Sequence, residues 1–374
     1  MKILHVVETA RGGCGSYLNE ILPQQLALLG PAQLRCLAPR QHLNQLDRLP
    51  AEQLRDFDRP SRARGLPQLA RALRRTVRDW QPDLIHAHST FAGAITRTLS
   101  LLQPLPPIVY CPHGWVFDVP LPAPLAQFAR LTERWLAGRS ARIVAISQAE
   151  RQLALQAGIP DERLTVVRNG VARDVDAAVA DWPDTRLRLL FVGRLDRQKG
   201  ADTLLEAVAP LQRSVCLRIV GERVHAGGRP LPTLPHVSYT GWLTQAQVAA
   251  QIAACDAVVM PSRWEGFGLV AVEAMRAAKP VLASAVGGLQ EIVLDRQTGQ
   301  LFPPDQPLTL RRLLAGLDRE QLRQQGLAGR ERFLQHYTSQ RTHEELMRLY
   351  AEVLGRPLAR TSADALPGAP EGRA

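Results

Sequence analysis

One pattern recurs along this chain: a short apolar run, a glycine turn, then a segment of helical period. Lys2-Ile3-Leu4-His5-Val6-Val7 leads through Gly12-Gly13-Cys14-Gly15-Ser16 into a helix expected over residues 17–29. Leu187-Arg188-Leu189-Leu190-Phe191-Val192 leads through a second glycine turn into a helix expected over 201–208. A strand followed by a covering helix must pair with further strands in parallel, which makes the fold class α/β with doubly wound sheets. At 374 residues there is room for two such domains, each with its own core.

Further strands fit both halves. In the first they are expected over 83–88, 108–111, 142–146 and 164–168; in the second over 215–220, 237–240, 256–260 and 281–284. The division is a first domain at 1–172, a polar, acidic linker at 173–186 and a second domain at 187–336. Residues 66–80 carry Leu66, Leu69, Leu73, Val77 and Trp80 on one helical face and Arg71, Arg74, Arg75 and Arg78 on the other. Such a cationic face suits solvent or an anionic membrane surface.

Composition narrows the classes. The five cysteines are scattered without a C-x-x-C pair, which argues against a disulfide frame or a zinc site and for a reducing compartment. Met1-Lys2 runs directly into a short apolar strand ended by Glu8, so no secretion signal is expected, and no apolar stretch is long enough for a bilayer span. Net charge is +11: residues 1–170 hold 21 Lys/Arg against 13 Asp/Glu, leaving 25 against 22 for the rest. The basic excess therefore lies in the first half, where it suits an anionic membrane, an anionic acceptor or a polyanion. Two D-x-D pairs, Asp56/Asp58 and Asp174/Asp176, follow no apolar strand and are read as loop rather than metal ligands. An NAD site is set aside because Leu18 stands where a further fingerprint glycine is needed, and Pro39-Arg40 follow the next strand in place of an acid.

The stretch around 256–280 carries the densest chemistry. A buried strand is followed by Glu265-Gly266-Phe267-Gly268-Leu269, then a helix expected over 269–278 with Glu273 in its apolar middle. An unpaired carboxylate there costs several kcal/mol, so Glu273 needs either Arg276, three residues on, or a ligand with hydroxyls. Taken along one helix axis, Glu265 and Glu273 lie roughly 12 Å apart, with a helix N-terminus between them that favours an anion. Polyol, anion, polyol is the layout of a sugar joined through diphosphate to a ribose. In the second glycine loop, Gly193-Arg194-Leu195-Asp196-Arg197-Gln198-Lys199-Gly200, the cations Arg194 and Lys199 are placed to converge on one anion, without the Gly-Lys-Ser/Thr of a Walker loop. His86 and His88 alternate on one strand face, and His113 ends another strand at the edge where open α/β sheets bind ligands.

Glu265 to Glu273 resembles the E-x7-E motif of retaining glycosyltransferases of family 4, whose two Rossmann-like domains face each other across a cleft (the GT-B fold). Gly193 to Gly200 is similar to that family's G-R-L-x-x-x-K-G, and the similarity extends to about residue 354. It implies a last helix, within 337–355, that crosses back to the first domain; the stretch after it, 356–374, reads as a disordered tail. By the resemblance the donor, a nucleotide-diphosphate sugar, meets Gly193, Arg194, Lys199, Gly241, Trp242, Leu243, Glu265, Gly266, Phe267, Gly268, Leu269 and Glu273. His113, Arg194, Lys199 and Glu265 serve the reaction. Gly12, Gly13, His88 and Ser147 lie on the acceptor side. The family's Asn-Gly-Val-Asp ends here in Ala172, so that acid is missing or moved.

The implied activity is that of a metal-independent hexosyltransferase without a cofactor, acting with retention on a saccharide or lipid-linked acceptor in cell-envelope polysaccharide synthesis. The implied location is the cytoplasm, with peripheral contact at the inner face of the cytoplasmic membrane. A sugar-nucleotide epimerase or phosphorylase of the same fold is one alternative, and a basic polyanion- or membrane-binding protein another. The absence of an aromatic-plus-basic array speaks against nucleic acid.

Overall fold

A computed structural model describes residues 1–223 and 232–356, so all of the expected tail except Arg356 lies outside the described residues. The first lobe holds strands β1 (Ile3–Val7), β2 (Leu34–Pro39), β3 (Leu54–Phe57), β4 (Leu84–His88), β5 (Ile108–Cys111), β6 (Arg142–Ala145) and β7 (Leu164–Val166). Its helices are α1 (Gly13–Leu29), α2 (Arg62–Trp80), α3 (Thr90–Leu102), α4 (Ala123–Ala137) and α5 (Gln148–Gln156). The second lobe holds β8 (Leu187–Val192), β9 (Val215–Val220), β10 (Val237–Gly241), β11 (Ala257–Met260), β12 (Val281–Ser284) and β13 (Gly299–Phe302). With them come α6 (Ala201–Val208), α7 (Gln245–Ala254), α8 (Leu269–Arg276), α9 (Leu289–Ile292), α10 (Pro307–Ala315), α11 (Arg319–His336) and α12 (Ser339–Leu354).

Both sheets are parallel throughout the described residues, with the orders β3-β2-β1-β4-β5-β6-β7 and β10-β9-β8-β11-β12-β13. Each order reverses direction once, between β1 and β4 in the first sheet and between β8 and β11 in the second. Helices leave opposite faces on the two sides of such a reversal, so a crevice opens at the strands' C-terminal ends there. The central strands are mostly apolar because both faces are covered: Ile3, Leu4, Val6, Val7, Val258, Val259, Val281 and Leu282 are fully buried, with the histidines of β1 and β4 as buried polar exceptions.

The linker is anchored by buried Trp182 and by the Ala180 amide, which donates to the Ala250 carbonyl at 3.1 Å. The last helix returns to the first lobe: α12 packs on α1, and Val171 bridges to Thr338. Strands β3 and β13 carry too little apolar signal for sequence alone. Only Phe57 of Leu-Arg-Asp-Phe is buried, and β13 opens on glycine. Asp56, on β3, and Asp58 are both ion-paired with Arg40. The cationic residues of α2 face outward while Leu69, Leu73 and Trp80 fill the core.

Candidate active site between the lobes

The two reversal points face each other. Gly266, after β11, lies against the β5 turn: a methyl built on it would sit 3.5 Å from the Gly114 Cα and 3.6 Å from Ile146 Cδ1. The Ser147 hydroxyl donates to the Gly266 carbonyl at 2.9 Å, and a methyl built on Gly13, the first residue of α1, would sit 4.0 Å from the Leu269 side chain. A cavity of about 400 Å³ opens beside this contact, lined from one lobe by Asp118, Ala149 and Gln152 and from the other by Arg263, Trp264 and Glu265.

On the second lobe the loops after β8 and β11 meet. Lys199 Nζ forms an ion pair with Glu265 Oε2, and the Ser262 hydroxyl donates to the same oxygen at 3.3 Å. Arg194 is held by its own loop, at 3.0 Å from Asp196 and 2.7 Å from the Gln198 side-chain oxygen. Each cation thus has a local acid or amide that an anionic ligand could displace.

The Glu265 loop is buttressed by Gly287 and Gly288. Gly287 has φ +45°, and a Cβ there would meet the Glu265 carbonyl at 1.8 Å, so no side chain fits. Helix α8 starts only at Leu269, which places Glu265 in the turn rather than on the helix axis. The continuous helix from Glu265 to Glu273 that the sequence-based spacing assumes is therefore absent.

Glu273 does not pair with Arg276: the Arg276 guanidinium instead donates to the Ala172 carbonyl at 3.2 Å. Among the described residues Glu273 has no hydrogen-bond or ion-pair partner. Burial raises its pKa to about 7, against the downward pull of nearby Arg276, with Glu20 adding to the rise. An unpaired carboxyl of this kind is able to accept hydrogen bonds from a hydroxylated ligand. Where the family's acid is replaced by Ala172, Glu20 of α1 brings a carboxylate: it accepts from the Ala172 amide at 2.6 Å.

On the first lobe the edge is built from neutral rings. His113 Nε2 lies 3.0 Å from His88 Nδ1, His88 Nε2 lies 2.9 Å from His5 Nδ1, and His5 Nε2 lies 2.7 Å from the Gln25 carboxamide oxygen. His86 Nδ1 lies 2.6 Å from the Tyr350 hydroxyl. Burial lowers the pKa of His113 and of His5 to about 4 and drives those of His86 and His88 well below the ordinary value, so all four rings are uncharged at neutral pH. With the Gln25 oxygen accepting, each ring donates inward in turn, and Nδ1 of His113 keeps its lone pair. Ring nitrogens of His5, His86 and His88 also come within 4.8 Å of one another, a grouping that sequence spacing did not disclose. His113 itself holds a left-handed φ of +54°, unusual for a residue with a side chain.

Two expectations are corrected. His88 is fully buried with both nitrogens engaged, so it stands behind His113 rather than on the acceptor surface. Ser147 caps α5 and ties the lobes through Gly266, which leaves its hydroxyl committed inside the contact. The Phe267 ring packs in the core near Tyr337, which is compatible with the backbone approach expected of the 266–268 turn. Of the group at the end of β10, Gly241 takes a left-handed φ, the Trp242 amide donates to Glu222 at 3.2 Å, and the Trp242 ring is exposed next to Leu243. Gly12 and Gly193 stand at the cleft ends of β1 and β8.

Two carboxylates escaped sequence reasoning. Buried Glu150 accepts from the Gly114 and Ile146 amides, both at 2.6 Å, and so fixes the His113 turn; burial raises its pKa to about 7 against those two donors. Glu291 of the second lobe accepts from the Gln148 and Ala149 amides at the start of α5 in the first lobe, a helix cap supplied across the cleft.

A model of Glycosyltransferase Family 4 matches residues 12–175, and a model of Glycosyl transferases group 1 matches residues 186–318. An uncharacterized 41.2 kDa protein in the cps region of Klebsiella pneumoniae is 30% identical over 315 residues, covering 80% of this chain and 86% of that protein. D-inositol 3-phosphate glycosyltransferase 1 of Catenulispora acidiphila is 31% identical over 306 residues, covering 69% of each chain. Among solved structures, Anabaena Alr3699/HepE in complex with UDP-glucose is similar at a TM-score of 0.78 and 22% identity, over 94% of this chain and 100% of that one, which shows a shared fold. With one family model on each lobe and relatives that span most of both chains, this protein belongs to glycosyltransferase family 4 and is a glycosyltransferase of the GT-B type.

Proposed function

We propose that the enzyme moves a hexose-type sugar from a nucleotide-diphosphate sugar, with retention at the anomeric carbon and without a metal cofactor, to a hydroxyl of a saccharide or lipid-linked saccharide in cell-envelope polysaccharide synthesis. The observation that carries this reading is the apposition of Lys199 and Glu265 on one lobe with the Gly114 turn beside His113 on the other.

Donor entry exchanges contacts already present. Lys199 leaves Glu265 for a phosphate oxygen, and Glu265, freed, accepts from sugar hydroxyls. Glu273, deprotonated, accepts from the two ribose hydroxyls. Arg194 and the amides opening α8 take up charge as the bond between the anomeric carbon and the phosphate oxygen breaks. The acceptor oxygen bonds to that carbon on the face the phosphate leaves, and its proton passes to the departing phosphate. His113, uncharged and with a free Nδ1, accepts from a sugar hydroxyl without competing for the phosphate. The Glu291 and Ser147 contacts hold the lobes closed and keep water from the donor.

The UDP-glucose complex of Alr3699/HepE makes UDP the first nucleotide to test. The enzyme is expected in the cytoplasm. Among the described residues no helix is long and apolar enough to cross a membrane. The test is a thermal-shift panel of nucleoside diphosphates and their sugars. The reading requires one nucleoside diphosphate that stabilises the wild type and fails to stabilise Arg194→Ala and Lys199→Ala. Equal stabilisation of all three proteins, or of none by any member of the panel, overturns it.

A further inference from the structure

Helix α4 breaks the usual rule for a surface helix. Its inner side is conventional: Leu136 and Ala137 are buried, and buried Glu133 is paired with Arg97 of α3 at 2.8 Å. Its outer side is apolar as well. Leu125, Phe128, Leu131 and Trp135 are 55%, 68%, 53% and 64% exposed. Their spacing of three, three and four residues keeps them within a stripe about 120° wide at 3.6 residues per turn. Single exposed apolar residues are ordinary, but four large ones in a row on one helix mark a surface meant to be covered.

Charge indicates what covers it. Arg130, Arg134 and Arg139 are exposed on or next to α4. Between residues 90 and 139 the only acids are Glu133, buried on Arg97, and Asp118, in the wall of the cleft. Helix α3 packs beside α4 and ends at Leu102, which is 79% exposed; α2, beside α3, turns Arg71, Arg74, Arg75 and Arg78 outward. A two-fold contact with a second copy would set these arginines against each other. A surface that is apolar below and anionic at its rim satisfies both halves, and an aromatic and aliphatic stripe flanked by arginines is the composition of helices that lie in the headgroup layer.

We infer that the outer face of α4 docks the enzyme on an anionic lipid bilayer. The helix follows directly on the cleft: Asp118 lines the cleft, Val119 is the next residue, and Leu125 opens the stripe. Docking there sets the cleft mouth at the membrane surface, where a lipid-linked acceptor would be found. This also moves the expected contact: the arginine face of α2 is an electrostatic flank, and α4 supplies the apolar insertion.

Vesicle flotation of the full chain tests the assignment without any sugar donor, so its result is independent of the transferase reading. Vesicles of phosphatidylcholine with phosphatidylglycerol should carry the protein, and pure phosphatidylcholine should carry about tenfold less. The double variant Phe128→Ser, Trp135→Ser should lose about tenfold or more of that binding while keeping the wild-type melting temperature and nucleotide-induced thermal shift. Leu125→Ser, Leu131→Ser provides a second variant should the first fail to fold. Absence of vesicle binding overturns the inference, as does binding unchanged in both double variants, or a dimer in sedimentation that these variants dissociate.

Discussion

The two lobes share a topology and differ in the chemistry placed at its reversal point. At the β8/β11 edge stand Arg194, Lys199, Glu265 and Glu273; at the β1/β4 edge stand Gly12, Gly13 and a file of buried, uncharged histidines ending in His113. Crevice geometry comes with the strand order, so both lobes have it. Charge does not. The second lobe keeps ions at the rim: Arg194, Lys199 and Glu265 each have a local partner to release, while Glu273 has none. The first buries its polar rings deeply enough to strip their charge. A reaction that expels a diphosphate needs fixed cations on one side only, and a cation facing the sugar from the other side would compete for the leaving group.

This contrast can be broken in several ways, the most damaging first. Lys199→Ala should lower kcat/KM about a thousandfold, the scale of losing a principal group that stabilises transition-state charge. If its loss is no greater than that of His88→Ala, the division between a charged and a neutral lobe fails.

Glu273→Gln should cost about ten- to a hundredfold in nucleoside-diphosphate affinity at pH 8, the scale of a charged hydrogen-bond acceptor. Because the Glu273 carboxyl titrates near 7, wild-type affinity should strengthen as pH rises from 6 to 8, and the glutamine variant should lose that slope. Stability runs the other way. The folded pKa lies above the unfolded one, so the ligand-free fold holds an extra proton between roughly pH 4.5 and 7 and loses stability as pH rises through that window. Glu273→Gln should therefore melt higher than the wild type above pH 7, by calorimetry.

His88→Ala should reduce kcat/KM about tenfold by freeing the His113 ring, with the nucleotide thermal shift retained. A lost thermal shift would mean that the neutral lobe holds the nucleotide as well. Glu291→Gln weakens a cap shared by the two lobes and should cost about 1 kcal/mol of stability with a few-fold rise in donor KM. The smallest expected effect is that of Arg74→Ser, on the exposed face of α2: soluble-acceptor activity should stay unchanged.

How much was legible follows from sequence distance. Glu265, Glu273, Arg194 and Lys199 lie in local patterns, two carboxylates eight apart and two cations in one glycine loop, and such patterns survive without a fold. Glu150, Glu291, Gln25, His5 and Tyr350 gain their roles from neighbours 20 to 264 positions away, for which no spacing rule exists. The resemblance places His88 and Ser147 on the acceptor side; burial decides otherwise, by giving every side-chain polar atom of each a protein partner. The exposed stripe of α4 escaped notice because a helix with apolar residues on both sides shows no clean amphipathic signal. Only the tertiary structure tells which side is covered.

The sequence by itself determined the α/β class, two lobes and a charged loop pair on the second, since apolar runs, glycine turns and helical periods are local consequences of backbone and side-chain chemistry. The tertiary structure alone decided that Lys199 meets Glu265, that four histidines lose their charge together, and that Arg276 leaves Glu273 unpaired. Those outcomes depend on desolvation and on contacts between distant segments, and both come into being only when the chain closes on itself.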